Sequence, residues 1–142
     1  MRELLQRLLE LLRSGEDAVL VTVVASSGST PRGAGARMLV SREGRLLGTI
    51  GGGEVERGAE LRALEVLQNK RSHTEQFLLH KNQVADLGMI CGGEVTVYVH
   101  YLPAGQPRLL RLFADMDNLF ASGEQAWLIC DITPEGAGEI SA

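Results

Sequence analysis

The run Ala18-Val19-Leu20-Val21-Thr22-Val23-Val24 is apolar or β-branched without a break. A strand with one face in water alternates polar and apolar residues, so a continuous run reads as a strand buried on both faces. Such a strand needs cover from two sides, which commits the chain to a layered fold. The segment before it supplies one cover. Met1 to Glu16 reads as an amphipathic helix, with Leu4, Leu5, Leu8, Leu9, Leu11 and Leu12 on one face. Arg2, Glu3, Arg7, Glu10 and Arg13 lie largely opposite. Ser14-Gly15 ends it, and Gly15 suits a left-handed cap.

The rest of the chain repeats the alternation of strand and helix. A polar loop, Ser26 to Gly33, leads to strand candidates Ala36–Ser41 and Arg45–Ile50, joined as a hairpin around Glu43-Gly44. A helix is predicted at Val55–Lys70, then strands at about His73–His80 and Glu94–Leu102. After a break at Pro103 to Pro107 come a last helix, Arg108–Ser122, and a last strand, Ala126–Ile132. Pro134 to Ala142 reads as a loose tail. With 142 residues, one domain is expected. The class is α/β or α+β: a mixed β-sheet with about three helices packed on it.

One internal repeat is visible at an offset of 108. Leu11, Ser14, Gly15, Glu16, Ala18, Leu20 and Gly28 match Leu119, Ser122, Gly123, Glu124, Ala126, Leu128 and Gly136. The same helix, Ser-Gly-Glu and strand unit thus occurs at both ends. The alternative is coincidence between two similarly capped amphipathic helices.

Net charge is −4, which argues against general nucleic-acid binding, and aromatics are only 4%, which leaves no base-stacking platform. There is no spanning apolar segment and no signal peptide, so no membrane partner is expected. Cys91 and Cys130 do not make a disulfide framework, and the cytoplasm is the expected compartment.

The residues with most chemistry in them lie between elements. Gly51-Gly52-Gly53-Glu54 joins a strand to a helix. Three glycines there permit positive φ and close approach of a ligand, and a helix N-terminus favours an anion such as phosphate. The plainer reading is a turn that needs glycine for its shape. Loop Ser26 to Arg37 carries Ser29, Thr30, Arg32 and Arg37, with arginine suited to phosphate or carboxylate; the plainer reading is a solvated surface loop. Cys91 precedes Gly92-Gly93, and its thiolate would ligate a soft metal or carry sulfur. Otherwise it is a small buried hydrophobe. Cys130, inside Trp127-Leu128-Ile129-Cys130, reads as core. His73, His80 and His100 have no metal-ligand spacing. Glu54 and Glu56 would serve as acid or base, but a first helical turn already favours acidic residues.

Four segments together carry a resemblance. Gly28-Ser29-Thr30-Pro31-Arg32, Gly35-Ala36-Arg37-Met38, Gly48-Thr49-Ile50-Gly51-Gly52-Gly53 and Asp86-Leu87-Gly88-Met89-Ile90-Cys91-Gly92-Gly93 resemble the XdhC/CoxI family of xanthine dehydrogenase accessory proteins. The match runs over residues 1–102, leaving 103–142 as a helix–strand extension packed on the same domain. The resemblance implies a maturation factor for a molybdenum hydroxylase. It would bind molybdenum cofactor (molybdopterin) as cargo, protect it during sulfuration and hand it to the apo-enzyme, with a cysteine desulfurase as a further partner. Ser29, Thr30, Arg32, Arg37, Gly51, Gly52, Gly53, Glu54, Cys91 and Gly92 would form the cofactor site, with Cys91 near the metal. Many relatives have cysteine after the glycine triplet, where this chain has Glu54. Longer relatives add a Rossmann-type domain; nothing after residue 102 gives its glycine-rich turn, so no NAD site is expected.

Two rival readings remain from the residues alone: a small enzyme using Glu54 on a phosphorylated metabolite, or a scaffold docking on the hydroxylase without pterin. The apolar last strand is expected to add to its own sheet or to pair with a second chain as a homodimer.

Overall fold

In the computed structural model, residues 1–27, 33–78, 93–133 and 140–141 are described. Helix α1 (Arg2–Arg13) leads into β1 (Ala18–Ser27). The hairpin of β2 (Arg37–Ser41) and β3 (Gly44–Gly48) precedes α2 (Gly53–Asn69). Next come β4 (His73–Leu78), β5 (Glu94–Leu102) and α3 (Pro107–Ala121). The short strands β6 (Ile129–Cys130) and β7 (Ile140–Ser141) end the described elements.

The main sheet has the order β3-β2-β1-β5-β4, with β1 at its centre. Helices α1 and α3 cover one face. Leu5, Leu8 and Leu12 of α1 pack there with Phe113 and Met116 of α3 against Leu20, Leu39 and Leu102. Helix α2 covers the other face, where Val55, Ala59, Ala63 and Val66 meet Val19, Val21, Val23, Val40, Val97 and Val99. The continuous run in β1 is therefore divided between two cores: Ala18 and Leu20 face α1, and Val19, Val21 and Val23 face α2. Phe113 is 1% exposed at the centre of the first core. Truncating it to alanine would cost about 3–5 kcal/mol.

Among the described residues three helices pack on the main sheet, in agreement with the sequence reading, and α+β is the apt class. Where a mixed sheet was expected, all four described ladders of the main sheet are antiparallel. The β2–β3 hairpin makes one of them, and β1 lies between β2 and β5, running opposite to both.

The repeat holds in the helix caps and stops at the strand. Gly15 (φ +85°) and Gly123 (φ +78°) take the same left-handed conformation. Glu16 N–H donates to Leu11 O and Glu124 N–H to Leu119 O, both at 3.0 Å. Ser14 Oγ bonds Leu11 O at 2.7 Å, and Ser122 Oγ bonds Leu119 O at 3.0 Å. Both ends are Schellman caps that satisfy the last carbonyls. Beyond them the two copies part. Strand β1 has neighbours on both sides, whereas the predicted strand Ala126–Ile132 shrinks to Ile129–Cys130. Its partner is Ile140–Ser141, in the segment expected to be a loose tail. Leu128 and Cys130 pack toward the first core, while Trp127 is 85% exposed and Ile129 62%. Cys130, expected in the core, is half-buried and packs against the first core rather than within it.

Candidate functional site

Every segment that carried the resemblance begins or ends at one end of the sheet. Ser27 pairs with Glu94, and Leu78 also pairs with Glu94. Gly48 pairs with Met38, next to Arg37. The loop after β1, the glycine turn after β3 and the segment between β4 and β5 therefore attach to the same rim. Antiparallel neighbours make this unavoidable, since a strand that ends at the rim hands the chain to one that starts there.

The glycine turn has the geometry that its sequence called for. Gly51, Gly52 and Gly53 have φ of +130°, +77° and +62°. Gly52 is the N-cap of α2, with ψ −172° and no side-chain cap hydrogen bond. That combination of angles is open essentially to glycine alone. The first N–H groups of α2 thus meet the surface without a side-chain acceptor from the cap, beside the positive end of the helix dipole. A Cβ added to Gly52 or Gly53 would meet no atom within 4 Å, so there is open space around the turn.

A network not foreseen from the sequence holds this turn in place. Thr49 Oγ1 donates to Glu56 Oε1 at 2.6 Å, and Ile50 N–H donates to the same oxygen at 3.2 Å. Gly51 N–H donates to Thr49 Oγ1 at 3.1 Å. Arg45 Nε lies 3.7 Å from Glu56 Oε2, and Arg45 Nη1 donates to Gly48 O at 2.8 Å. Glu56 is thereby a positioning residue. The signal was a threonine two residues before the triplet and a glutamate three after it, both suited to bonding nearby backbone. Glu54, in contrast, is exposed, with Arg57 at 3.9 Å.

Arg37 points elsewhere. Its side chain is on the α1 side of the sheet, in a pocket of about 270 Å³ lined by Met1, Glu3, Leu4, Gly35, Arg37, Leu47 and Gly48. The glycine turn leads to the α2 side, since Ile50 and Val55 join that core. Arg37 and the triplet therefore share a rim and face opposite layers. Ser29, Thr30, Arg32, Cys91 and Gly92 lie outside the described residues, and so does the suggested metal role of Cys91. Among the described residues, no group of three or more His, Cys, Asp or Glu side chains is placed to hold a metal ion.

Cys130 Sγ lies 3.8 Å from His100 Nδ1 beneath β6. Burial pushes its thiol up, Asp131 adds to this and Arg37 opposes it, so it is a poor nucleophile at neutral pH. None of the described helices is long and apolar enough to cross a membrane.

Comparison with known proteins sets this arrangement in a family. The chain is 37% identical over 108 residues to the molybdenum cofactor insertion chaperone PaoD of Escherichia coli, covering 76% of this chain and 34% of that protein. It is 34% identical over 113 residues to protein YqeB of the same organism, covering 80% of this chain and 20% of the relative. A Bacillus subtilis protein described as a probable xanthine dehydrogenase subunit is 33% identical over 90 residues, covering 63% of this chain and 27% of its own length. The chain thus spans about a third or less of the curated relatives it matches. A crystal structure described as a xanthine dehydrogenase from Bacillus halodurans shares the fold, with a TM-score of 0.69 and 23% identity. That match covers 94% of this chain and 39% of the other. Residues 11–78 match the model of the XdhC and CoxI family, and they contain β1, the β2–β3 hairpin, the glycine turn and α2. The chain belongs to the XdhC and CoxI family.

Proposed function

We propose that the chain is an accessory factor for a molybdenum hydroxylase of the xanthine dehydrogenase kind, and that it binds molybdenum cofactor and assists its sulfuration or insertion. The observation that carries this is the glycine turn: three consecutive positive-φ glycines, with open space around Gly52 and Gly53, at the N-terminus of α2, which has no side-chain cap. The likeness to a relative named as a molybdenum cofactor insertion chaperone supports the same reading. The pterin cargo ends in a phosphate, and backbone N–H groups at a helix N-terminus suit that group. Gly51, Gly52 and Gly53 would hold it, with Ser29, Thr30, Arg32, Cys91 and Gly92 contributed from the segments that attach to the same rim. The apo-hydroxylase and a cysteine desulfurase are the proposed partners. The chain acts as a homodimer in the cytoplasm.

Glu54 fits an acid–base role poorly. It is exposed, with Arg57 3.9 Å away, and so open a position does little to exclude water from a reaction. The test is co-expression with a molybdenum hydroxylase, purification of the chain, and release of bound pterin for fluorescence detection. Wild type is expected to carry pterin and Gly52→Val to lose it while remaining folded. Folded wild type without pterin would refute the cofactor reading and favour a docking scaffold.

A further inference from the structure

The pocket on the α1 side of the sheet is lined by one guanidinium, the first turn of α1, two glycine backbones and the apolar side chains of Met1, Leu4 and Leu47. Among the described residues, Arg37 Nε has less than 1 Å² of exposed surface and no hydrogen-bond partner. A buried donor on a charged group without an acceptor is costly, so native structures rarely leave one. Among the same residues, Arg37 Nη1 has the weakly accepting Met1 Sδ at 3.9 Å. The guanidinium is thus held beside the pocket with its hydrogen-bonding capacity largely unused. Helix α1 has no side-chain cap hydrogen bond at Met1, and its first intrahelical bond is Leu5 N–H to Met1 O. The N–H groups of the residues before Leu5 belong to the turn that lines the pocket. They add partial positive charge on the side facing Arg37.

We propose that this pocket binds a small organic oxyanion, a carboxylate or phosphate ester on a short apolar body, with Arg37 as its main anchor. Arginine suits such a group because its planar fork presents Nε–H and Nη–H side by side to two oxygens once the atoms that now cover Nε move aside. Met1 Sδ would yield its place to the ligand, since a thioether is a poor acceptor and Met1 is half-exposed. Leu4 and Leu47 would hold the apolar body. Glu3, which also lines the pocket, favours a singly charged ligand over a more highly charged one. The inference is independent of pterin binding at the glycine turn, which leads to the opposite face.

The test is an NMR titration of the whole chain, ¹⁵N-labelled, with inorganic phosphate in one series and butyrate in another. Saturable shifts are expected at Arg37 Nε–H and at the amides of Glu3 and Leu4, with butyrate favoured. Arg37→Gln should abolish them. Arg37→Lys, which keeps the charge but not the fork, should weaken binding about tenfold. Gly52→Val should leave them intact. Absence of saturation in the millimolar range, or shifts that survive in Arg37→Gln, would overturn the proposal. Shifts confined to Gly51–Gly53 would also overturn it while leaving the cofactor reading in force.

Discussion

The Thr49 hydroxyl donates a 2.6 Å hydrogen bond to Glu56, and Ile50 N–H shares the same carboxylate oxygen. One side chain in the first turn of α2 thereby clamps the entry to that helix. The glycine turn owes its shape to this clamp as well as to its own freedom. Three residues with little intrinsic preference would otherwise sample many conformations at high entropic cost.

Glu56→Ala removes the acceptor for Thr49 and Ile50 together. The Glu56 side chain is mostly buried, so the loss is expected to be about 1–3 kcal/mol in urea unfolding. Glu56→Gln keeps one acceptor oxygen and should lose less than half as much. A Glu56→Ala variant as stable as wild type would show that the clamp does not order the turn.

Gly48 and Gly52 both have positive φ, +81° and +77°, but differ in their surroundings. A Cβ on Gly48 would lie 2.3 Å from Arg37 O and 2.9 Å from Met38 Cα, and backbone cannot move aside cheaply. Gly48→Ala should therefore cost about 3 kcal/mol or more, adding a clash to the dihedral strain. Gly52→Ala meets open space and should cost about 1–2 kcal/mol from its dihedrals alone. Thermal melts that rank the two in the reverse order would contradict this account.

Asp17 ties the α1–β1 loop to the end of β5, at the rim away from the glycine turn. It accepts from Tyr101 Oη at 2.7 Å and Ala104 N–H at 2.8 Å. Burial alone would raise its carboxyl, but the bonds from Ala104 and Tyr101 and the charge of Lys70 together hold it below the usual value. Its stabilisation is present above the unfolded carboxylate pKa and is lost as pH falls through the lower folded one. Burial and the same Asp17 bond push Tyr101 up to about 12. That contribution is full below the unfolded tyrosine value of about 10 and fades as pH rises toward 12. Asp17→Asn should flatten the acid limb of a stability–pH curve, and Tyr101→Phe the alkaline limb. Curves parallel to wild type would refute the assignment.

Trp127 is the sole tryptophan and is 85% exposed in the single chain. With Ile129 it forms an apolar outer face at β6, a surface that self-association would cover. Acrylamide quenching of Trp127 is expected to weaken as concentration rises through the micromolar range, in step with dimer formation by light scattering. Trp127→Ser should weaken the dimer. Unchanged quenching of a persistent monomer would defeat the homodimer proposal.

Much of the main sheet was legible from local pattern. The unbroken run of β1 announced a strand covered on both faces, and the leucines of α1 announced one of its covers. The strand–glycine–helix order located the turn at Gly51–Gly53 and the positive φ that it needs. The Ser-Gly-Glu repeat predicted two identical helix caps, because a Schellman cap is made entirely within about six residues. These features depend on near neighbours, whose chemistry one chain segment displays.

Tertiary structure decided what depends on distant residues. The second Ser-Gly-Glu unit does not continue into a long strand: β1 has β2 and β5 as neighbours, and among the described residues 129–130 pair with 140–141 alone. The direction of Arg37 followed from strand parity, since a shift of one residue in register would have turned it toward α2. Its orphaned Nε and the pocket beside it exist only because α1, 36 positions earlier at Met1, folds back over the start of β2. The sequence determined the elements and their caps because those arise from periodicity and short-range hydrogen bonds. The fold decided which side chains share a face, because that is set by strand order and register between residues far apart in the chain.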